Sequence, residues 1–229
     1  MIGIIGAMES EVSAIYDKMT SKEIIEINGQ KFYKGLLFNK EVVVIQCGIG
    51  KVNAALCTQL LILKFNVEKV INTGIAGATG KGLNIYDFVV SSQTVYHDFD
   101  TTFFGYELGQ IPSLPAKFDA DASLVNTAME AFAKASLSKE HKIQKGLIAS
   151  GDQFIAGGEK KDFIIRNFNP LCVEMEGCAI AHTCYKNNIP FVIIRCMSDC
   201  ADDSVKSTYD EALASKLSSS FLLEVINEI

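Results

Sequence analysis

The fold class is decided by residues 2–19, IGIIGAMESEVSAIYDKM, where an apolar run, a glycine turn and a helical pattern follow one another. Residues 2–5 predict a buried strand, and residues 9–19 predict a helix directly behind it. Similar β-branched runs, apolar on both faces like the inner strands of a covered sheet, recur along the chain. They occupy residues 42–46, 69–72, 88–91, 146–150, 172–175 and 190–196.

Further helical patterns occupy residues 52–65, 120–135, 176–187 and 209–226. Strands that alternate with helices imply crossover connections, with helices on the faces of the sheet. Residues 22–47 depart from this order, because they predict three successive strands joined by turns at Asn28-Gly29 and Asn39-Lys40. We therefore expect an α/β layered fold with a mixed sheet. No repeat or linker divides the chain, so residues 1–229 are predicted to form a single domain.

The composition is that of an ordinary globular protein, with 48% hydrophobic and 21% charged residues among 229. A formal net charge of -6 and the lack of a basic stripe argue against nucleic acid or an anionic membrane as a partner. The first residues carry no basic leader, and no stretch approaches the roughly eighteen apolar residues of a membrane span. The expected location is the cytoplasm.

The seven cysteines are odd in number, and no pair has C-x-x-C spacing. Most lie inside apolar runs, which is typical of buried reduced thiols in a cytosolic protein. His182 lies near Cys178 and Cys184, and Cys196 lies near Cys200, but the paired spacing of a zinc site is missing. We therefore expect neither a metal nor another cofactor.

Residues 98–116, DFDTTFFGYELGQIPSLPA, predict a long loop, because glycines and prolines interrupt any regular element. The loop carries Phe103, Phe104, Tyr106 and Ile111, which is too much apolar surface to leave in water. It is predicted to be either a lid or part of a subunit interface.

The turn after the first strand carries Met8, Glu9 and Glu11. Small molecules bind at the carboxyl ends of strands in open α/β sheets. A dinucleotide fingerprint is excluded, because Met8 and Glu11 stand where that motif needs glycine and two glutamates would repel a pyrophosphate. Glutamates in a first helical turn often only complement the helix dipole. We give Glu9 that role and keep Glu11 as a candidate catalytic residue.

A second group of acids is Glu174 and Glu176, at the end of the run 172–175. Alternation places both on the same face if the strand continues. Two acids beside an inner strand are costly unless they bind something, and solvated acids at a strand end are the alternative.

A third group, Arg195, Ser198 and Asp199, follows the strongest apolar run of the chain. Its position again fits a crevice at the mouth of a central strand. The alternatives are a structural Arg195–Asp199 pair or a divalent-metal cluster with Asp202 and Asp203, which lacks the regular spacing of a calcium loop.

Three glycine-containing segments are lesser candidates. Residues 150–155, SGDQFI, could present backbone groups and an aromatic face to a base, and residues 73–77, TGIAG, predict a turn that could wrap a ligand. Residues 48–51, GIGK, lack the leading glycine of a phosphate loop, so that reading is rejected.

Seven segments occur together and in order: IGIIGAMESEV, CGIGKVNAA, INTGIAGA, YHDFDTTFFGYELGQIP, SGDQF, VEMEGCAIAH and RCMSD. Together they resemble the bacterial 5′-methylthioadenosine/S-adenosylhomocysteine nucleosidases over essentially the whole chain. The resemblance implies the three-layer α/β sandwich of the nucleoside phosphorylase family and a homodimer. It also implies hydrolysis of 5′-methylthioadenosine and S-adenosylhomocysteine, and of 5′-deoxyadenosine as well, within methionine salvage and the recycling of S-adenosylmethionine by-products.

The resemblance assigns catalytic roles. Glu11 matches the general base for the attacking water, and Glu176 matches the residue that binds the ribose hydroxyls. Asp199 matches the acid that protonates N7 of the leaving adenine, with Ser198 positioning it. Arg195 matches a contact on the water side.

The resemblance also assigns substrate contacts. Phe154 and Ile155 match the adenine slot, and Met175 matches a contact to the ribose. Met8, Ile49 and Tyr209 match the family's residues that line the space around the sugar and its 5′ substituent. Phe104 and Pro112 match residues that reach across the dimer into the neighbour's alkylthio pocket, which would account for the apolar loop. Further expected binding residues are Ile75, Ala76, Gly77 and Glu174.

Two positions depart from the pattern of this family. Relatives often carry Ser where this chain has Ile75, so the catalytic water here must rely more on Glu11 and Arg195. Tyr209 stands where an aromatic residue without a hydroxyl is common, which could alter preference at the 5′ end.

Three carboxylates suit this reaction because departure of adenine leaves an oxocarbenium-like sugar. Asp199 must hold a proton for the base, Glu11 must remain ionised to activate water, and nearby negative charge must stabilise the cation. An acid and a base on opposite faces lie about 6.5–9.5 Å apart when water attacks directly. A phosphorylase would instead need donors that hold phosphate, which Glu11 would repel.

Other functions are also compatible with the sequence. They are a nucleosidase for another adenosine such as aminodeoxyfutalosine, a phosphate-dependent phosphorylase, and a nucleoside-binding sensor without turnover. An NAD-dependent oxidoreductase fails on the glycine spacing.

Overall fold

A computed structural model describes residues 1–201 and 209–229. Within them the strands are β1 Ile2–Gly6, β2 Thr20–Ile27, β3 Gln30–Leu37, β4 Lys40–Gln46, β5 Lys69–Asn72, β6 Ile75–Ala78, β7 Phe88–Tyr96, β8 Phe118–Asp119, β9 Ile143–Ser150, β10 Cys172–Glu174 and β11 Phe191–Asp199. The helices are α1 Glu9–Tyr16, α2 Lys51–Phe65, α3 Ala122–Lys134, α4 Gly158–Phe168, α5 Gly177–Asn187 and α6 Glu211–Glu228. Short 3₁₀ turns cover Thr102–Phe104 and Ser136–Lys139.

The strands form one mixed sheet in the order β2-β3-β4-β1-β5-β11-β6-β10-β9-β7-β8. β1 runs parallel to β4 and β5, whereas β6 runs antiparallel to β10. β11 pairs with β5, β6 and β7, so that β11, β6, β10, β9 and β7 close into a ring. All nine residues of β11 are buried, as expected of a central strand.

Helices cover both faces of this sheet. On one face, α2 and α5 contribute the buried side chains of Leu61 and Ile180 to a core with strand residues such as Ile193. On the other face, α1, α3 and α6 pack residues such as Phe221 against a second core. The predicted three-layer α/β sandwich with a central mixed sheet is confirmed.

The two predicted hairpins are present, but one turn lies elsewhere. Asn28 and Gly29 have φ of 52° and 77°, as a two-residue type I′ turn requires. The second turn is formed by Phe38 and Asn39, with φ of 49° and 62°, and Lys40 already begins β4. The prediction of Asn39-Lys40 was therefore wrong by one residue, because a Phe at positive φ gives no turn signal in the sequence.

Two elements differ from the sequence prediction. Helix α4 was not predicted, since most of its residues are polar or charged and only Ile164 of it is buried. Residues 75–77 of the predicted glycine turn, together with Ala78, form the strand β6. Gly77 lets β6 lie close to the chain after β11, because a Cβ there would approach Ala201 Cβ to 2.9 Å.

Burial of the thiols agrees with the prediction from the sequence: Cys47, Cys57, Cys172, Cys178, Cys184 and Cys196 all lie inside the protein. Among the helices in the described ranges, none combines the length and apolar character needed to cross a bilayer.

Candidate active site

A cavity opens at the carboxyl ends of β1, β10 and β11 and along residues 75–77 of β6, where the sequence predicted a crevice. Its lining consists of Ala7, Met8, Glu11, Ile49, Ile75, Ala76, Gly77, Gln153, Phe154, Ile155, Val173, Glu174, Met175, Glu176, Ser198, Asp199 and Tyr209. Four carboxylates thus share one cavity with a mainly apolar remainder, which is the usual make-up of a small-molecule site.

Glu11 is held by backbone amides at the start of α1. Its Oε2 accepts hydrogen bonds from the amides of Ala7 at 2.6 Å and Met8 at 3.0 Å, and its Oε1 accepts one from Ile75 at 3.0 Å. Burial raises the pKa of Glu11 above its usual value, and the charge of Arg195 together with these amides opposes the rise. Ile75 thus supports the general-base candidate through its backbone.

Gly74 gives the Glu11 carboxylate the room it needs. A Cβ at this position would lie 2.6 Å from Glu11 Oε1 and 3.2 Å from an Arg195 nitrogen. Any other residue would push the carboxylate from its amides, so glycine is required here for close approach rather than for its own conformation.

Arg195 lies beneath the cavity floor and does not line it. Its Nη2 donates to Glu174 Oε2 and, at 2.6 Å, to Asn72 Oδ1, and its Nη1 donates to the Ile194 carbonyl at 3.0 Å. Arg195 and Glu174 form an ion pair in which each side chain is 2% exposed. The structural alternative that paired Arg195 with Asp199 is therefore wrong.

Glu174 is surrounded by donors. Besides Arg195, the hydroxyl of Ser150 and the amides of Glu176 and Gly177 donate to it, the amides at 3.1 and 2.7 Å. β10 ends at Glu174, so the strand does not continue to Glu176 and the two acids do not alternate along it as the sequence suggested. The chain turns instead into α5, and Glu176 is the residue before its first turn.

Glu176 has a sparser environment. Its Oε1 accepts the Gly50 amide at 2.8 Å, and the carboxylate is buried against the cavity. Burial and the nearby charge of Glu174 raise its pKa to about 8, and Arg195 acts in the opposite direction. The GIGK segment therefore gives an amide to a carboxylate, not to a phosphate.

Asp199 closes the cavity on the β11 side and is 2% exposed. Its Oδ2 accepts the Ser198 hydroxyl at 2.8 Å and its Oδ1 accepts the Ala201 amide at 2.7 Å. Asp202 and Asp203, which the sequence alternative combined with Asp199 as a metal cluster, lie outside the described residues. Elsewhere in the described ranges, no cluster of three or more His, Cys, Asp or Glu side chains is arranged for a metal ion.

Aromatic and apolar side chains form the rim. The rings of Phe154 and Tyr209 meet edge to face, with centroids 6.0 Å apart, and both are partly exposed. Ile49 is 53% exposed at the same mouth, whereas Ile155 is buried behind Phe154. A flat base and an apolar substituent match such a rim.

The structure brings together all the predicted site residues except three. Arg195 lies behind Glu174, and Phe104 and Pro112 belong to the loop 98–116, away from this chain's own cavity. The sequence reasoning missed Ala7 and Val173 in the lining and named Gln153 and Ser150 only as part of the segment 150–155. It also missed that Asn72 and Ser150 hold Arg195 and Glu174. Asn72 and Ser150 each end an apolar run, which is the signal that could have found them.

Comparison with known proteins places the chain in a family. The sequence model described as the Phosphorylase superfamily matches residues 1–227, so the chain is a member of that superfamily. A 5′-methylthioadenosine/S-adenosylhomocysteine nucleosidase of Staphylococcus saprophyticus is 48% identical over 93% of this chain and 92% of its own length.

Two solved structures agree with this. The nucleosidase of Neisseria meningitidis in complex with methylthio-immucillin-A has a TM-score of 0.95 and 38% identity over 100% of this chain and 99% of its own. The one from Colwellia psychrerythraea with adenine has a TM-score of 0.95 and 42% identity over 99% and 94%. The chain belongs to the family of 5′-methylthioadenosine/S-adenosylhomocysteine nucleosidases, which are enzymes that hydrolyse an N-glycosidic bond.

Proposed function

We propose that this nucleosidase hydrolyses 5′-methylthioadenosine and S-adenosylhomocysteine to adenine and the corresponding thioribose, and cleaves 5′-deoxyadenosine as well. The observation that carries the proposal is the grouping of Glu11, Glu176 and Asp199 around one buried cavity with an aromatic rim. Relatives of similar sequence bear both substrates in their names, and two solved structures of the family hold methylthio-immucillin-A and adenine.

Glu11 is the proposed general base. Its raised pKa brings it nearer to neutrality, where a base that takes a proton from water is most effective, while three amides and Arg195 favour its ionised form. Glu176 binds the ribose hydroxyls, and its ionised form opposes the positive charge that develops on the sugar. Ile75 offers only its backbone to this region, so the water depends on Glu11 and on the charge of Arg195 beneath it.

Asp199 is the proposed acid for the adenine. Its position between the Ser198 hydroxyl and the Ala201 amide fixes both carboxyl oxygens, so that one edge faces the cavity. Phe154 would stack on the base and the Ile155 backbone would read its edge, while Met175, Ala76 and Gly77 enclose the sugar and base.

Water, rather than phosphate, is the proposed nucleophile. A phosphorylase holds phosphate beneath the sugar with Arg or backbone donors. Here Arg195 is turned toward Glu174, Asn72 and the Ile194 carbonyl, and Glu11 occupies the water side with negative charge. No metal or other cofactor takes part in these steps.

The exposed apolar surface supports a homodimer. Phe103 and Phe104 are 92% and 73% exposed in the loop 98–116, and Val52 and Leu56 of α2 are 70% and 58% exposed. Such side chains are normally covered in a functional assembly. Phe104 and Pro112 would then reach the alkylthio pocket of the neighbouring subunit, next to its Met8, Ile49 and Tyr209.

The deciding experiment measures adenine release from 5′-methylthioadenosine with and without phosphate. We expect equal rates of adenine release with and without phosphate, and free methylthioribose as the second product. A phosphate-dependent rate, or a sugar 1-phosphate product, would overturn hydrolysis. Parallel assays with S-adenosylhomocysteine, 5′-deoxyadenosine and aminodeoxyfutalosine identify the preferred adenosine, and a preference for the last would overturn the assigned substrate.

The homodimer is tested by sedimentation together with Phe104→Ala. A dimer whose variant loses affinity for thioether substrates supports the shared pocket, whereas a monomeric active enzyme excludes it. On these substrates the reaction belongs to methionine salvage and to the recycling of S-adenosylmethionine by-products, and we place it in the cytoplasm.

A further inference from the structure

Three charged side chains outside the cavity join the loops that build it. Lys51 Nζ lies 2.7 and 2.6 Å from the two carboxylate oxygens of Asp98 and 3.6 Å from Asp152 Oδ2. The Asp152 amide donates to Asp98 Oδ2 at 2.8 Å, and Asp152 Oδ1 accepts the Lys51 amide at 2.8 Å. We refer to Lys51, Asp98 and Asp152 as the clamp.

The clamp is less exposed than an ordinary surface ion pair. The side chains of Lys51 and Asp98 are 22% and 12% exposed, although that of Asp152 is 48% exposed. Burial raises the pKa of Asp98, but the Lys51 ammonium and the Asp152 amide lower it more, so Asp98 ionises below its usual range. This carboxylate is therefore a fixed charge between two chain segments.

Each clamp residue is adjacent to a part of the site. Gly50, whose amide donates to Glu176, directly precedes Lys51, and Gln153 and Phe154 directly follow Asp152. Asp98 begins the loop that carries Phe104. The clamp thus connects α2, the base-side loop and the proposed interface loop.

The start of α2 explains how the clamp reaches Glu176. This helix has no side-chain cap of its own, and its first amides find acceptors in other segments: Gly50 in Glu176 and Lys51 in Asp152. Gly50 has a φ of 99°, and a Cβ there would lie 3.2 Å from Asp152 Oδ1, so the Asp152 carboxylate packs directly on this turn. Moving Asp152 would move the donor that Glu176 uses.

We propose that Lys51, Asp98 and Asp152 are positioning residues that hold the Gly50 amide against Glu176 and fix the base-side loop for the reaction. The inference rests on the proposed function for its kinetic consequence, but the contact between Gly50 and Glu176 can be measured without substrate. The charged groups that face Glu176 are Glu174 of β10, Arg195 of β11 and Glu11 of α1. A substitution in the clamp removes none of these three.

The test is Asp152→Ala, with Asp152→Asn as the matched variant that keeps the acceptor oxygen for the Lys51 amide. Lys134→Met, which removes a distant surface pair with Glu228, is the control. The titration of Glu176 is followed in the ligand-free protein by carbon-13 NMR of labelled glutamate carboxyls, and Glu176→Gln assigns the signal. Thermal unfolding verifies that each variant is folded.

We expect Asp152→Ala to raise the pKa of Glu176, because loss of a donor disfavours the ionised form, and Asp152→Asn and Lys134→Met to leave it near that of the wild type. The value of kcat/KM for 5′-methylthioadenosine should fall about tenfold in Asp152→Ala and recover in Asp152→Asn, since small displacements of aligned groups are costly. An unchanged Glu176 titration in the folded Asp152→Ala variant would overturn the positioning role of the clamp. An inactive wild type would overturn the proposed function instead, and the titration would still show whether the clamp positions the Gly50 amide.

Discussion

Glu174 and Glu176 stand two residues apart, and both are buried and border the cavity, yet their surroundings differ. Glu174 accepts hydrogen bonds from Ser150, from Arg195 and from two backbone amides. Glu176 accepts the Gly50 amide and otherwise faces the cavity. A carboxylate whose acceptor sites are filled by the protein is structural, whereas one left with open sites can bind a substrate.

The largest expected effect concerns the stability that Glu174 provides. Glu174→Gln leaves the Arg195 charge buried without its partner, which should lower the free energy of unfolding by about 3–5 kcal/mol. Denaturation in urea measures the change. Glu228→Gln, which breaks the exposed pair with Lys134, is the matched control and should be close to the wild type. Equal losses in the two variants would contradict a structural role for Glu174.

Glu176 should show the opposite pattern. Glu176→Gln keeps the shape but can no longer ionise, and the ionised carboxylate stabilises the cationic sugar, so kcat/KM measured above about pH 8 should fall about 10²–10³-fold with no loss of thermal stability. Steady-state kinetics and a melting curve on the same preparation provide both values. Turnover near that of the wild type would refute the division of roles.

Ser150 offers a smaller perturbation of the Glu174 environment. Its hydroxyl donates to Glu174 and accepts the Cys178 amide at 2.7 Å, so Ser150→Ala leaves two buried groups short of a partner. We expect a loss of about 1–3 kcal/mol in the free energy of unfolding. The pKa of Glu176, followed by NMR, should remain unchanged. A change in this pKa would show that Ser150→Ala alters the charge on Glu174, which is one cause of the raised pKa of Glu176.

The smallest effect, counted per pH unit, is a dependence of the unfolding free energy on pH. The folded-state pKa of Glu176 is raised to about 8, so between the unfolded value and pH 8 the folded protein keeps a proton that the unfolded chain releases. Stability from this group is therefore lost as the pH rises through that window. The unfolding free energy of Glu176→Gln minus that of the wild type should increase with pH, by at most about 1.4 kcal/mol per unit. A constant difference between about pH 5 and about pH 8 would contradict the raised pKa.

The acids of the cavity show where sequence reasoning succeeded. The joint position of Glu11, Glu174, Glu176 and Asp199 at strand ends followed from apolar runs and the crevice rule, and the structure places all four in one cavity. Their roles in the reaction, and the single-domain organisation, stay predictions.

What the sequence could not provide was partner choice. Arg195 is four residues from Asp199 but pairs with Glu174, because only strand β6 lies between β11 and β10 in the sheet. In the same way, the amide of Gly50 finds Glu176 across 126 positions of the chain. Contacts of this kind depend on strand order, which local patterns do not encode.

Short elements gave the other differences. β6 and the turn at Phe38-Asn39 were misplaced because glycine content and a positive φ at Phe carry weak or misleading local signals. The long apolar runs, in contrast, were located within a few residues of the observed strands, since burial on both faces leaves a continuous pattern.

Strand β11 links these observations to the dynamics of the enzyme. It carries Arg195, Ser198 and Asp199, it is buried along its whole length, and it is hydrogen-bonded to three other strands. Amide protons in such a strand exchange with solvent only when the protein opens globally. We therefore expect substrate entry to move the rim at Phe154 and Tyr209 and not β11, so that the proposed acid for the base stays on slowly exchanging backbone.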